Sequence, residues 1–181
     1  MKSEILPPEY QENLVQENLT VMAELRDSKV TGEKSLHALR PFNPGETLFR
    51  FQAKGYLSEP NRYTVQMGEN KHILLDPEHL QYINHSCRPN IYFDLPNMAI
   101  ICLRSISIDD EITFFYPSTE WSMSQAFYCQ CGSPTCLGYI RGAQYVPPMV
   151  LGKYQLSEFI QQKYLHINPS CPPFGAWQHQ R

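Results

Sequence analysis

Several things are missing from this chain of 181 residues, and each absence excludes a class of protein. There is no surplus of positive charge: 15 Lys and Arg stand against 18 Asp and Glu, a formal net charge of -3. A general grip on nucleic acid needs a basic surface, so no direct nucleic-acid partner is expected. No apolar run approaches the length of a membrane span. The opening residues, "MKSEILPPEYQENL", contain no apolar leader core, so a secretion signal is not expected and an intracellular place, cytoplasmic or nuclear, is the default. Internal repeats and low-complexity tracts are also absent. What remains is ordinary globular material: 42% hydrophobic and 12% aromatic residues, in a length that suits one domain with some decoration.

The cysteines are distributed unevenly. Three of the six, Cys129, Cys131 and Cys136, fall within eight residues. An even number of cysteines can mean disulfides. In a reducing compartment, however, a tight Cys-x-Cys-x4-Cys cluster points to metal. Cys102 alternates with apolar neighbours and reads as a small buried hydrophobe. Cys171 lies in a Pro-rich stretch with no cluster around it.

Hydrophobic patterning predicts many short strands and little helix. Leu14, Val15, Leu19 and Met22 can share one face of a short helix within 9–27, with an irregular arm as the alternative. Asn43-Pro44-Gly45 punctuates 39–51 before an apolar run that reads as a strand. "NRYTVQM" (61–67) and "KHILLD" (71–76), separated by "GEN", predict a hairpin. Residues 98–106 and 111–116 are short β-rich runs. Over 153–165, Tyr154, Phe159, Ile160 and Tyr164 recur at helical spacing, ahead of a loose tail.

One stretch fits none of these patterns: "NHSCRPN" at 84–90 packs an amide, an imidazole, a thiol and a Pro-Asn turn into seven positions. It resembles a signature of SET-domain protein lysine methyltransferases. "DDEITFFY" (109–116) resembles a second signature of that family, and "CQCGSPTC" (129–136) its post-SET motif, continued by "LGYI" (137–140). "PFNPGE" (41–46) resembles the family's early turn. The motifs stand in family order, and the resemblance spans about 31–142. It implies a mostly β fold of the β-clip kind: small curved sheets around a knot-like crossing, with a post-SET zinc loop and a C-terminal helical extension. The corresponding division is an N-terminal arm (1–30), a SET domain (31–117), a post-SET module (118–142) and an extension (143–181).

The same resemblance implies the chemistry, which is methyl transfer from S-adenosylmethionine to lysine of a protein substrate, a histone tail being the family's commonest target. Tyr116 would be the catalytic tyrosine. Phe114 matches the position that sets how many methyl groups are added, and Phe there implies di- or trimethylation. Tyr63 would frame the lysine channel. Asn84 would meet the cofactor through its amide and His85 largely through its backbone, with Lys34, Ser35 and Leu36 nearby. Cys87 would join Cys129, Cys131 and Cys136 around one structural zinc ion.

The residues themselves agree with such a site. A lysine arrives protonated, with an ordinary pKa of about 10.4. A neighbouring sulfonium and a dry channel both lower that value, so no strong protein base is required.

Three departures from the family pattern stand out. Glu33 and Ser35 occupy places where glycines are usual. Phe115 stands where many members have Asp, and Gln81 where an Arg is frequent. The missing glycines motivate one rival, a catalytically silent module that binds a peptide or the cofactor. The cysteines alone motivate another, a purely structural zinc module. Trp121 reads as a packing anchor between core and post-SET loop.

Overall fold

A computed structural model describes residues 21–27 and 33–169. Its elements are short strands gathered into two- and three-stranded sheets. Strands β1 (Ala23–Asp27) and β2 (Lys34–Ala38) form an antiparallel pair. A second sheet orders β3 (Thr47–Arg50), β9 (Ala99–Cys102) and β8 (Ile91–Asp94). A third places β6 (Lys71–Asp76) between β4 (Gln52–Leu57) and β5 (Thr64–Gly68). Two small pairs complete the set: β7 (Asn84–His85) parallel to β10 (Thr113–Phe114), and β11 (Phe127–Tyr128) antiparallel to β12 (Tyr139–Ile140). Toward the C-terminal end of the described residues lie two α-helices, a single turn α1 (Pro148–Leu151) and the longer α2 (Glu158–Ile167).

The expected hairpin over 61–76 is present as β5 and β6. The Asn43-Pro44-Gly45 turn is also present. Gly45 takes φ +85, a left-handed conformation that side chains other than glycine rarely adopt. Two expectations are corrected. Of the expected helix face, Leu14, Val15 and Leu19 lie outside the described residues and Met22 is helical together with Val21, but the helix does not run on to 27, because Ala23–Asp27 is a strand. A ladder to β2, running from Ala23 opposite Ala38 to Asp27 opposite Lys34, takes up its backbone groups. The C-terminal helix begins at Glu158, not at 153, because Ser157 caps it: its hydroxyl accepts the Ile160 N–H at 3.3 Å. Tyr154 therefore precedes the helix and is free to point elsewhere.

Two apolar clusters hold these pieces. The larger is built on Leu36, Phe42, Ile73, Ile91, Ile100 and Ile112, all essentially inaccessible. The smaller joins Phe115 to Ala143, Leu151, Ile160 and Tyr164. The segment 111–116 thus separates two cores, with Ile112 and Phe114 facing one and Phe115 the other, as the alternation of a strand requires.

Backbone bonds secure this segment on both sides. Ile112 N–H donates to Leu36 O at 2.8 Å, and Ala38 N–H to Asp110 O at 2.9 Å. On the opposite side Ser86 N–H donates to Phe114 O at 2.9 Å and Asn90 N–H to Thr113 O at 3.1 Å. Asn90 adds its side chain: Nδ2 donates to Glu111 O at 2.8 Å, and Oδ1 accepts the Thr113 N–H at 2.8 Å. This amide, only 5% exposed, takes the place of a further rung in a two-residue ladder. A turn-capping role for Asn90, natural from sequence, is not what the fold uses.

Replacing Asn90 by Ala orphans the Glu111 carbonyl and the Thr113 amide together. At about 1–3 kcal/mol for each buried unpaired group, Asn90→Ala is expected to cost about 2–5 kcal/mol of stability. Urea unfolding measures it, and a loss under 1 kcal/mol contradicts the role given to the amide.

Candidate active site

The turn 84–90 brings Asn84, His85 and Cys87 to three different neighbours. Asn84 Nδ2 donates to Lys34 O at 3.1 Å and to Glu111 Oε1 at 2.8 Å, so it ties β2 to the strand before β10. His85 turns its ring inward. The Tyr116 N–H donates to His85 Nδ1 at 3.1 Å, and His85 Nε2 lies 3.3 Å from Cys87 Sγ. A backbone N–H can only donate, so Nδ1 is the acceptor and the ring proton sits on Nε2, aimed at the sulfur. Burial holds the imidazole neutral, pushing it down to about 4. Both ring nitrogens are thus engaged within the protein.

Tyr116 stands where strand β10 ends. Its hydroxyl donates to Ile83 O at 3.2 Å, which leaves the oxygen lone pairs for the cavity. Burial raises its pKa well above the ordinary value, so it stays a neutral phenol. Phe114 packs 4.7 Å from Tyr116 on one side, and Phe127 of β11 lies 5.9 Å from it on the other. The cavity in front has a volume of about 500 Å³ and is lined by Tyr63, Asn84, His85, Phe114 and Tyr116 among others. Tyr63, 36% exposed, sits at its rim with the Arg62 guanidinium over its ring.

Lys34, Ser35 and Leu36 are not among the cavity-lining residues. Leu36 is fully buried in the larger core, Ser35 bonds His37 at 3.0 Å, and Lys34 pairs with Asp27 at 3.0 Å. In β2 the side chains alternate between the two faces of the sheet, Leu36 and Ala38 toward the core and Ser35 and His37 on the other face. What this strand offers toward the site is backbone, the Lys34 carbonyl above all. Residues the motifs did not single out do line the cavity: Arg62, Glu33, Glu111, Glu120 and Phe127. Glu111 was visible as the acid opening "EITFFY". Glu120 had no sequence signal, since its position depends on where the chain goes after Tyr116.

The sulfur atoms of Cys87, Cys129, Cys131 and Cys136 all lie within 4.8 Å of one another. Cys87 Sγ is 4.0 Å from both Cys129 Sγ and Cys136 Sγ. A tetrahedral site with metal–sulfur bonds of about 2.3 Å places its ligands roughly 3.8 Å apart, so the four fit one ion. Backbone donors point at the sulfurs: Leu137 N–H at 3.4 Å to Cys87, and Gly138 N–H at 3.5 Å to Cys136. Burial pushes the Cys87 thiol up to about 11, so an ionised cluster needs a cation to sustain it. Cys102 is buried and bonds Arg104 O, as a small core residue does. Cys171 lies outside the described residues.

The unusual Phe115 has a structural partner. Its ring stacks on Tyr154 with centroids 3.7 Å apart and planes 8° from parallel. The Tyr154 hydroxyl then donates to the carbonyl of Cys87 at 2.8 Å. Trp121 belongs to the same cluster. It packs toward α2, with Tyr164 6.3 Å away and Lys163 over its ring.

Comparison with known proteins decides the family. The SET-domain model matches residues 9–117, more than half of the chain. This chain belongs to the SET-domain family. It is 40% identical over 121 residues to the methyltransferase flvH of Aspergillus flavus, covering 65% of this chain and 67% of that protein. It is 36% identical over 107 residues to the H3 lysine-36 specific histone-lysine N-methyltransferase of Schizosaccharomyces pombe, covering 54% of this SET-domain chain but 13% of that enzyme. A solved structure, KRYPTONITE in complex with mCHH DNA, H3(1-15) peptide and SAH, aligns with a TM-score of 0.47 at 18% identity, over 65% of this chain and 29% of that one. That likeness is too distant to bear on fold or chemistry. Among the described residues no helix is long and apolar enough to cross a membrane.

Proposed function

We propose that this SET-domain protein transfers methyl groups from S-adenosylmethionine to lysine side chains of a protein substrate inside the cell. The observation that carries the reading is one cavity of about 500 Å³ bounded by the turn 84–85, the end of the strand at Tyr116 and the cysteine loop. The methylated relatives' substrates differ or are unnamed, so a histone tail is one candidate and other lysine-bearing proteins are equally open to test.

S-adenosylmethionine, when bound, supplies a methyl group on a sulfonium. The chain's own residues do the rest. Asn84 and the His85 backbone hold the cofactor end, with the Lys34 carbonyl beside them. The Tyr116 oxygen accepts a hydrogen bond from the lysine amine and keeps its lone pair in line for attack. Phe114, Phe127 and Tyr63 form dry walls, which strengthen that single polar contact. Cys87, Cys129, Cys131 and Cys136 hold one zinc ion. Four thiolates leave no open position, so the metal is structural: it pins the post-SET loop over the cofactor turn through Cys87.

The rival readings make different predictions. A silent module binds cofactor without transferring methyl, and a purely structural zinc module does neither. Calorimetry with S-adenosylmethionine, followed by a labelled-methyl assay on whole-cell protein, separates the three.

Protein prepared without chelator should contain about one zinc per chain by elemental analysis, and Cys87→Ser should lose both the metal and folding stability. Absence of zinc from such a preparation refutes the four-cysteine site. Tyr116→Phe should lower kcat by about 100-fold or more while leaving cofactor affinity within about twofold, because the hydroxyl acts on the amine and not on the adenosine end. Full activity in that variant removes Tyr116 from the role. Phe114 itself offers the amine no hydrogen-bond partner, so the end product should be di- or trimethyl-lysine. Phe114→Tyr adds a hydrogen bond worth roughly 0.5–1.5 kcal/mol and should shift products about tenfold toward monomethyl-lysine. Mass spectrometry of the product reads this. Only monomethyl-lysine from the unaltered protein, at long times and excess cofactor, rules the proposal out.

A further inference from the structure

A buried acid in the cavity is used by nothing in the mechanism above. Glu120 lies four residues beyond Tyr116 and is 8% exposed. Both hydrogen bonds to its carboxyl go to the same oxygen. Oε1 accepts the Gln66 N–H at 2.9 Å and the Thr119 hydroxyl at 3.1 Å. Glu120 itself lines the cavity shared by Tyr63, Phe114 and Tyr116. Its backbone is fixed as well, since Ala143 N–H donates to Glu120 O at 2.8 Å. Gln66 locks the arrangement from the other side, its Oε1 accepting the Trp121 N–H at 2.8 Å. The carboxyl is thus oriented by one oxygen and has the other, Oε2, to offer.

Burying a carboxylate without a cation is costly, and a fold normally avoids it or supplies a partner. Burial pushes Glu120 up to about 7, so near neutral pH it is divided between acid and carboxylate. The other charged or titratable groups facing this space are already engaged. Arg62 is held by Glu33 at 2.6 Å, Glu111 accepts from Asn84, and Tyr116 donates to Ile83 O. Tyr63 and Tyr128 bring only phenols, and His85 and the metal cysteines are tied as described above. A cation arriving in the cavity therefore finds in Glu120 a buried carboxyl whose Oε2 has no hydrogen bond among the described residues, next in the chain to the segment bearing Tyr116; the more exposed Glu111 is turned by its bond to Asn84 toward β2.

We infer that Glu120 is a catalytic residue that receives the substrate's lysine ammonium through Oε2 and takes its proton before methyl transfer. This inference rests on the proposed lysine methyltransferase reading. In the step, an N–H bond of the ammonium breaks and its electron pair stays on nitrogen. The proton bonds to Oε2, so an ammonium–carboxylate pair becomes a neutral amine and a carboxylic acid. The freed lone pair attacks the methyl carbon of the donor sulfonium, and the electron pair of the broken carbon–sulfur bond remains on sulfur. Glu120 loses its proton to solvent before the next turnover. Low polarity favours the direction of the first transfer, because it exchanges two buried charges for none.

Glu120→Gln tests this with little change of shape: the amide oxygen can still accept from Gln66 and Thr119. In the unaltered protein, kcat/KM should rise as pH rises through about 7, where the carboxylate forms, and then level off, since the enzyme accepts the ammonium form of lysine. In Glu120→Gln the plateau should vanish. Only neutral lysine then reacts, so kcat/KM should climb steadily toward about pH 10.4 and lie about 100-fold below the unaltered protein at pH 7. Cofactor affinity should stay within about twofold, which reports that the variant is folded. If it is not, Glu120→Asp, which keeps the charge, should retain the plateau. A readout without turnover is n-butylammonium, titrated against uncharged 1-pentanol and followed by NMR shifts. The unaltered protein should prefer the ammonium by about tenfold and Glu120→Gln should show no preference. A folded Glu120→Gln that keeps both plateau and ammonium preference overturns the inference while leaving the methyltransferase reading intact. If no lysine is methylated by the unaltered protein, that reading fails, and a Glu120-dependent ammonium preference still upholds the site.

Discussion

The site depends on residues 84–90 lying alongside 109–116. The regular ladder between them is two residues long, far too short to be stable by itself. It persists because it is braced. The Asn90 side chain extends it by two hydrogen bonds, and β2 secures the opposite edge of 109–112. From that one alignment follow the neighbour of each functional group: Asn84 against β2, His85 against the Tyr116 backbone, and Cys87 within reach of a loop more than 40 residues later. The His85 ring joins the last two, with one nitrogen on the backbone of Tyr116 and the other toward the Cys87 sulfur.

The two cores make this arrangement rigid from different directions. The larger supports β2 and the inner face of the strand at 112–114. The smaller reaches the same strand from behind through Phe115, and the C-terminal extension supplies most of it. Tyr154 both stacks on Phe115 and bonds the carbonyl of Cys87, so the extension touches the strand leading to Tyr116 and the turn 84–90 with a single side chain.

Much of this was legible in the residues. The three motifs and their order carried the family; the spacing of Cys129, Cys131 and Cys136 marked a thiol cluster, and the resemblance added Cys87, whose sulfur does lie with theirs. The 61–76 hairpin followed from alternation and turn residues. Other features were hidden for stateable reasons. Lys34, Ser35 and Leu36 sit near the site in sequence register, but Leu36 is buried in the core, Ser35 lies on the opposite face of the sheet against His37, and Lys34 pairs with Asp27. The start of the last helix moved because the cap at Ser157 outweighs the periodic Tyr154. Asn90 looked like a turn former since its partners, Glu111 and Thr113, are more than 20 residues away. Glu120 carries no motif, and only the folded chain shows an acid stripped of water beside Tyr116.

The stacked pair has a consequence for inheritance. A face-to-face ring contact at 3.7 Å, with Phe115 only 2% exposed, has no room for a carboxylate at position 115. Phe115 and the segment bearing Tyr154 therefore stand or fall together. The segment bearing Tyr154, moved onto a core with an acid at that position, would find no ring to lie on, and this core given a tail without such a ring would leave one face of Phe115 bare. The segment bearing Tyr154 is a matched half of a joint, and swapping it between family members requires exchanging one residue, Phe115, more than 30 positions upstream of that tyrosine.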